Sequence, residues 1–282
     1  MPKRVFIVGL GPSVGQQNLN LLVGEDSWGM NRCHLIYDKT QWRPTRFWWT
    51  DMPQSDIHMD DIELHIGLGE NVWLRDDVAT WKFPTSGRGD KSLLPNVTIW
   101  NRCTAFSHGN AMHKHAWKPK DWSCVSKTWK TDTPIFCKYG SGTSVMVQRA
   151  AFEGFDEIYL LGCDLGFKPL KAGEIENAHM VPGYWPTKTV DYTQERADLL
   201  NRTLWEMHDM IARETAARGV KVFNCSPTSP LLQYPKISLE DVCLPSTMGI
   251  DAASGSSEPV LPFTKRPLPK SKRKRSASTA ST

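Results

Sequence analysis

Four apolar residues, Val5-Phe6-Ile7-Val8, run without interruption into Gly9-Leu10-Gly11-Pro12-Ser13. No other feature constrains the fold of the chain as strongly. A short continuous apolar run of this kind reads as a strand buried on both faces, and such strands belong to parallel sheets covered by helices. Lys3-Arg4 ahead of the run gives it a superficial likeness to a secretion signal. The run stops after four residues, well short of the roughly 7–15 apolar residues of a signal core, and a Gly-Pro turn follows at once. The segment is therefore a first strand.

Further along, strand-like and helix-like patterns alternate. Ser27–Asn31 reads as the second strand, Arg46–Thr50 as the third, and Asn71–Leu74 and Val97–Trp100 as shorter ones. Asp56–Ile66 has acidic residues early and apolar residues at helical spacing, which predicts a helix. A helix over Thr143–Glu153 follows a Gly-Ser-Gly turn, and Glu157–Leu161 is a buried strand running into Gly162-Cys163-Asp164. Asp191 or Thr193 caps the longest helix, Gln194–Arg218, which Gly219 terminates, and Val220–Phe223 is the last strand. Strands separated by helices predict an α/β fold: a Rossmann-like, mostly parallel sheet with helices on both faces, Val5–Val8 central. Residues 1–245 form this domain. Within it, 84–138 is rich in Trp, Lys, Gly and Ser with little periodicity, and reads as an irregular insertion or a lid.

The net charge of +4 belongs to one end of the chain. Residues 246–282 hold seven basic residues and two acidic ones, which leaves the rest close to neutral. That segment is Ser-, Ala- and Pro-rich without apolar periodicity, and it reads as a disordered basic tail. The run Lys272-Arg273-Lys274-Arg275 could make a weak, salt-sensitive contact with nucleic acid; a solvated tail is the commoner explanation. The seven cysteines are odd in number and contain no C-x-x-C pair, which argues for a reducing, cytoplasmic setting and against a disulfide scaffold. No apolar run approaches the roughly 20 residues of a membrane span. His108, His113 and His115, with Cys103 and Cys124, match no usual structural zinc spacing.

Three groups of residues point to chemistry. The first is Gly9, Gly11, Pro12 and Ser13 after the first strand. Glycines admit a ligand close to the backbone, and amides at a strand-to-helix turn aim N–H groups at an anion, so this loop is expected to bind a phosphate. It is not the dinucleotide fingerprint, because the third glycine falls one residue late at Gly15 and the second strand ends in Asn31 instead of an acid. The second group gathers at expected strand ends: Asn31, Thr50, Asp51, Asp164, Asn224 and Ser226. Any one of these could be a turn-former or a cap, but together they mark the sheet edge at which ligands bind. The third is Ser141-Gly142, a helix cap that can also present amides to an anion.

In order, Val8–Ser13, Gly29-Met30-Asn31-Arg32, Ser141-Gly142, Gly154–Asp164 and Val222–Leu232 resemble the bacterial sialyltransferases that use a cytidine-monophosphate sugar. They equally resemble the related motility-accessory-factor and 6-hydroxymethylpterin diphosphokinase MptE-like proteins. The resemblance implies a Rossmann-like sheet with a nucleotide in the crevice and, in the sialyltransferase branch, metal-independent sugar transfer. It also implies a histidine base between the Gly-x-Asp strand and the last long helix, where this chain has His179. The chain departs from the sialyltransferase pattern at Leu10, at Thr50 and at Gly166-Phe167.

Three functions follow as expectations. The leading one is a transferase using a nucleotide or nucleotide-sugar donor, a glycosyltransferase with no cofactor. An alternative is a Mg2+-dependent pyrophosphoryl transferase with Asp51 and Asp164 on the metal. The third is a non-catalytic protein that binds a nucleotide or nucleic acid.

Overall fold

The computed structural model describes residues 2–51, 56–79, 91, 94–102, 135–136, 141–164, 166–169, 179, 184 and 193–244. The chain divides into two units, Met1–Pro245 and Ser246–Thr282. The second unit, with the expected disordered basic tail, lies outside the described residues, as do His108, His113, His115 and most of 84–138.

The strands are β1 (Arg4–Val8), β2 (Ser27–Met30), β3 (Arg46–Trp49), β4 (Val72–Arg75), β5 (Val97–Arg102), β6 (Ile135–Phe136), β7 (Glu157–Leu161) and β8 (Lys221–Asn224). Among the described residues they form one sheet in the order β6-β5-β4-β3-β2-β1-β7-β8, with every pairing parallel. The chain builds outward from β1 to β6, then returns to the other side of β1 with β7. Val5 pairs with Ile158 across that junction. β1 is interior, as its uninterrupted apolar run requires. The two described pieces of the 84–138 segment, β5 and β6, extend the sheet.

Alternation along each strand divides the core in two. Val5, Ile7, Trp28, Met30, Trp48, Trp73, Ile158 and Leu160 face helices α3 (Gly142–Phe152) and α4 (Gln194–Ala216). Phe6, Val8, Phe47, Trp49, Val72, Leu74, Tyr159 and Leu161 face the opposite layer. That layer holds α1 (Asp56–Gly67), α2 (Asp76–Ala79), short 3-10 turns and the five-residue α5 (Leu239–Cys243). Fully burying one large apolar side chain contributes about 1.5–3 kcal/mol, so burial of both strand faces is the dominant stabilising term. Three tryptophans of neighbouring strands (Trp28, Trp48 and Trp73) lie against one another, the last two with centroids 4.7 Å apart. Among the described residues no helix is long and apolar enough to cross a membrane.

Most elements fall within one or two residues of the sequence reading, and the differences have local causes. β2 stops at Met30 because Asn31 turns to φ 46°, a left-handed conformation that Asn tolerates better than most residues. Thr193 caps α4, its side chain accepting from the Arg196 amide at 3.2 Å. The glycine loop leads into two 3-10 turns, Pro12–Gln16 and Leu19–Leu22. Pro12 lacks an N–H, and Gly15, Asn18 and Asn20 are poor helix formers, so no α-helix propagates. α5 is too short to leave a periodic signature.

Candidate functional site

The chain reverses direction across the sheet between β1 and β7, and in open α/β sheets a crevice opens there beyond the strand ends. A cleft of about 260 Å³ occupies this position. Its floor is Gly9–Gly11 after β1 and Gly162–Asp164 after β7. Asn31 and Asp51 follow β2 and β3, Ser141-Gly142-Thr143 opens α3, and His179 and one stripe of α4 complete the wall.

The two floor loops are bonded to each other. The Gly9 and Gly11 amides donate to the carbonyls of Leu161 and Gly162 at 2.7 and 2.8 Å, and the Ser13 amide donates to Oδ2 of Asp164 at 2.7 Å. A Cβ on Gly11 would lie 2.4 Å from that carboxylate oxygen and 2.7 Å from the Gly162 carbonyl. Gly162 has φ +60°, and a Cβ there would overlap Val14. These glycines are required by the close approach of two backbones. This corrects the expectation that the Gly9–Ser13 amides point at an anion, since those of Gly9, Gly11 and Ser13 already have acceptors. Pro12 is exposed and Ser13 fully buried, and neither lines the cleft. Oδ1 of Asp164 is buried without a partner.

Asn31 ties β2 to β3. Its side-chain carbonyl accepts from the Thr50 amide at 3.0 Å and its side-chain amide donates to Asp51 at 2.9 Å. Thr50 is fully buried behind the wall, against the start of α3, where a Cβ on Gly142 would lie 2.4 Å from its hydroxyl. At that helix start Ser141 accepts from the Thr143 amide at 3.1 Å.

His179 lies on the cleft wall with its ring stacked on Tyr184 at 4.1 Å. Tyr184 is buried; its carbonyl accepts from Arg32, whose Nε donates to Asp61 at 2.8 Å. The other oxygen of Asp61 meets His34 at 3.1 Å. Burial opposes ionisation of Asp61, but the bond to His34 and the Arg32 charge outweigh it and hold the carboxyl below its ordinary range. A buried ion pair between the turn after β2 and α1 thus supports the ring beneath His179. Asp191, the other residue read as a cap of α4, lies outside the described residues.

Asn224 and Ser226 do not reach this cleft. β8 is the strand beyond β7, and its end opens toward a separate depression on the side of α5. There the Asn224 side chain accepts from the Ser226 amide at 2.9 Å, and the Ser226 hydroxyl accepts from the Cys163 amide at 3.3 Å. Both shape the turn after β8. Thr50 and Ser13 likewise act from behind the wall, and the exposed Pro12 stays outside the cleft.

The sequence reading missed the α4 contribution. Arg196, Leu200, Leu204 and His208 all line the cleft at i, i+4 spacing, the stripe one helix face presents. That regular spacing was the available signal. Phe167 and Met30 add to the apolar side. Cys163, also on the wall, is pushed up to about 12 by burial and is no thiolate nucleophile at neutral pH. Among the described residues, no three His, Cys, Asp or Glu side chains converge to hold a metal. The cleft lining therefore combines carboxylate, amide, imidazole and guanidinium groups with apolar side chains.

No protein-family model matches the chain, and no curated protein matches it. Among solved structures it is similar to the sialyltransferase CstII from Campylobacter jejuni in complex with the substrate analogue CMP-3FNeuAc. The identity is 13%, covering 84% of this chain and 86% of that one, with a TM-score of 0.44. The same enzyme with cytidine-5'-monophosphate matches at 12% identity over 83% and 84%, with a TM-score of 0.30.

Proposed function

We propose that the cleft binds a nucleotide-activated donor and that the protein is a transferase of the glycosyltransferase type. The observation that carries this reading is the meeting, in one cleft at the strand-order reversal, of His179 with Asn31, Asp51, Asp164, Ser141 and Gly142. The cleft is half polar and half apolar, as a nucleoside phosphate is. In this reading the start of α3 and the Arg196 guanidinium face the phosphate, where a helix N-terminus and a cation stabilise negative charge. The nucleoside lies toward Leu200, Leu204 and Phe167. His179 removes the proton of an acceptor hydroxyl as its oxygen bonds to the transferred carbon. The bond from that carbon to the nucleotide phosphate breaks, and its electrons leave on the phosphate.

Scanning fluorimetry against a panel of nucleotides, followed by a product assay with nucleotide sugars, tests this. A nucleotide at 100 times its dissociation constant stabilises the fold by about 2.7 kcal/mol. A panel without a single stabilising nucleotide would overturn the reading.

One observation favours a second reading, pyrophosphoryl transfer. Asp51 and Asp164 share the cleft, and the buried, unpaired Oδ1 of Asp164 is an acceptor with nothing to accept. Mg2+ is commonly held by one or two carboxylates together with substrate phosphates, and would neutralise phosphate charge there. Full turnover in excess EDTA excludes this reading; complete loss, restored by Mg2+, favours it.

A further inference from the structure

His208, only 3% exposed, lines the cleft on the α4 stripe that also carries Leu200 and Leu204, and the mechanism above does not use it. Its ring is held from one side. Nδ1 lies 3.0 Å from the Tyr234 hydroxyl, and that hydroxyl lies 3.1 Å from the backbone carbonyl of His208. A carbonyl only accepts, so the single Tyr234 proton goes to it, and Nδ1 must carry the ring proton and donate to the phenolic oxygen. Nε2 then bears a lone pair. Among the described residues no hydrogen bond reaches it, and it is open to the cleft, which His208 lines.

Resting on the nucleotide reading of the cleft, we infer that Nε2 of His208 is a fixed hydrogen-bond acceptor that selects a nucleobase carrying an exocyclic amino group. A neutral imidazole locked in this tautomer cannot donate from Nε2. An amino group satisfies it, whereas a carbonyl at the same place would set one lone pair against another. Burial keeps the ring neutral, with its pKa down to about 3. Leu200, Leu204 and Phe167 line the same cleft and offer apolar surface for a planar base. Selection comes from the unmade hydrogen bond rather than from shape, because the amino and keto bases compared are almost the same size.

Two measurements on the full chain test the inference. A long-range 1H–15N spectrum at pH 7 should show His208 protonated at Nδ1 and bare at Nε2. Calorimetry with two matched pairs, cytidine against uridine monophosphate and adenosine against inosine monophosphate, should show the amino partner of at least one pair binding about tenfold tighter. His208→Asn keeps a donor near the Nδ1 position and removes the Nε2 acceptor. It should bring that ratio to within about twofold of unity while its melting curve confirms a folded protein. A ring protonated at Nε2, no amino preference in the wild type, or an unchanged preference in His208→Asn would each overturn the inference. Failure of all four nucleotides to bind a protein with the expected tautomer would instead overturn the nucleotide reading, and base selection with it.

Discussion

The backbone amide of Ser13 donates to the carboxylate of Asp164 at 2.7 Å, joining the loop after β1 to the loop after β7 across the point where the strand order reverses. With the Gly9 and Gly11 amides bonded to Leu161 and Gly162, this contact makes the cleft floor a single rigid piece. Its stiffness and its function are therefore separable by mutation.

Gly11→Val should destabilise the fold. Its Cβ alone would lie 2.4 Å from Oδ2 of Asp164 and 2.7 Å from a backbone oxygen, and the backbone cannot give way cheaply. Chemical denaturation should show a loss of about 3 kcal/mol, at the upper end of ordinary overpacking. A wild-type midpoint would show that the two loops are not in contact in solution.

Replacing Asp164 separates charge from hydrogen bonding. Asp164→Ala leaves the Ser13 amide in a fully buried residue without its acceptor, costing about 1–3 kcal/mol. Asp164→Asn retains an oxygen and should recover most of that stability. If both variants unfold alike, the carboxylate charge matters more than the bond.

His179→Ala should lower turnover roughly 10²–10⁴-fold with nucleotide affinity close to wild type, the pattern of a lost general base. Tyr184→Phe preserves the ring beneath His179 and should retain most activity. Wild-type turnover in His179→Ala removes that residue from the mechanism.

Stability should fall as the pH is lowered from neutrality. The His208 pKa is depressed by burial to about 3, below the roughly 6.5 of an unfolded histidine. The unfolded chain thus takes up a proton that the folded one refuses, so this contribution is complete above about pH 6.5 and is lost as the pH falls toward 3. Burial lowers His58 and His65 in the same direction. Asp61 and Glu153 are held below the usual carboxylate range by their cationic partners despite burial, and their contributions are lost below about pH 4. Urea titrations between pH 7 and 4 should give a shallower decline for His208→Asn than for wild type. Parallel slopes would mean that the ring is not buried.

The sequence alone determined the elements and their class. Val5–Val8, Glu157–Leu161 and the amphipathic Gln194–Ala216 carry their periodicity and end signals locally, so their existence needs no knowledge of their neighbours. It also picked out the strand ends from which a site is built, because polar residues after buried strands stand out along the chain. Only the tertiary structure decided which ends meet. Asn31, Asp51 and Asp164 line one cleft, while Asn224 and Ser226, equally polar and equally placed after a strand, face another, because β8 lies beyond β7 and away from the reversal. The same holds for the glycines, whose closest neighbours are about 150 residues away in the chain. His208 shows the limit most clearly. In the sequence it is one polar residue in a long helix, and only the packing of α4 against the sheet, with Tyr234 returning from beyond β8, fixes which ring nitrogen holds the proton. Periodicity is a property of neighbours in the chain, whereas a site is a property of neighbours in space.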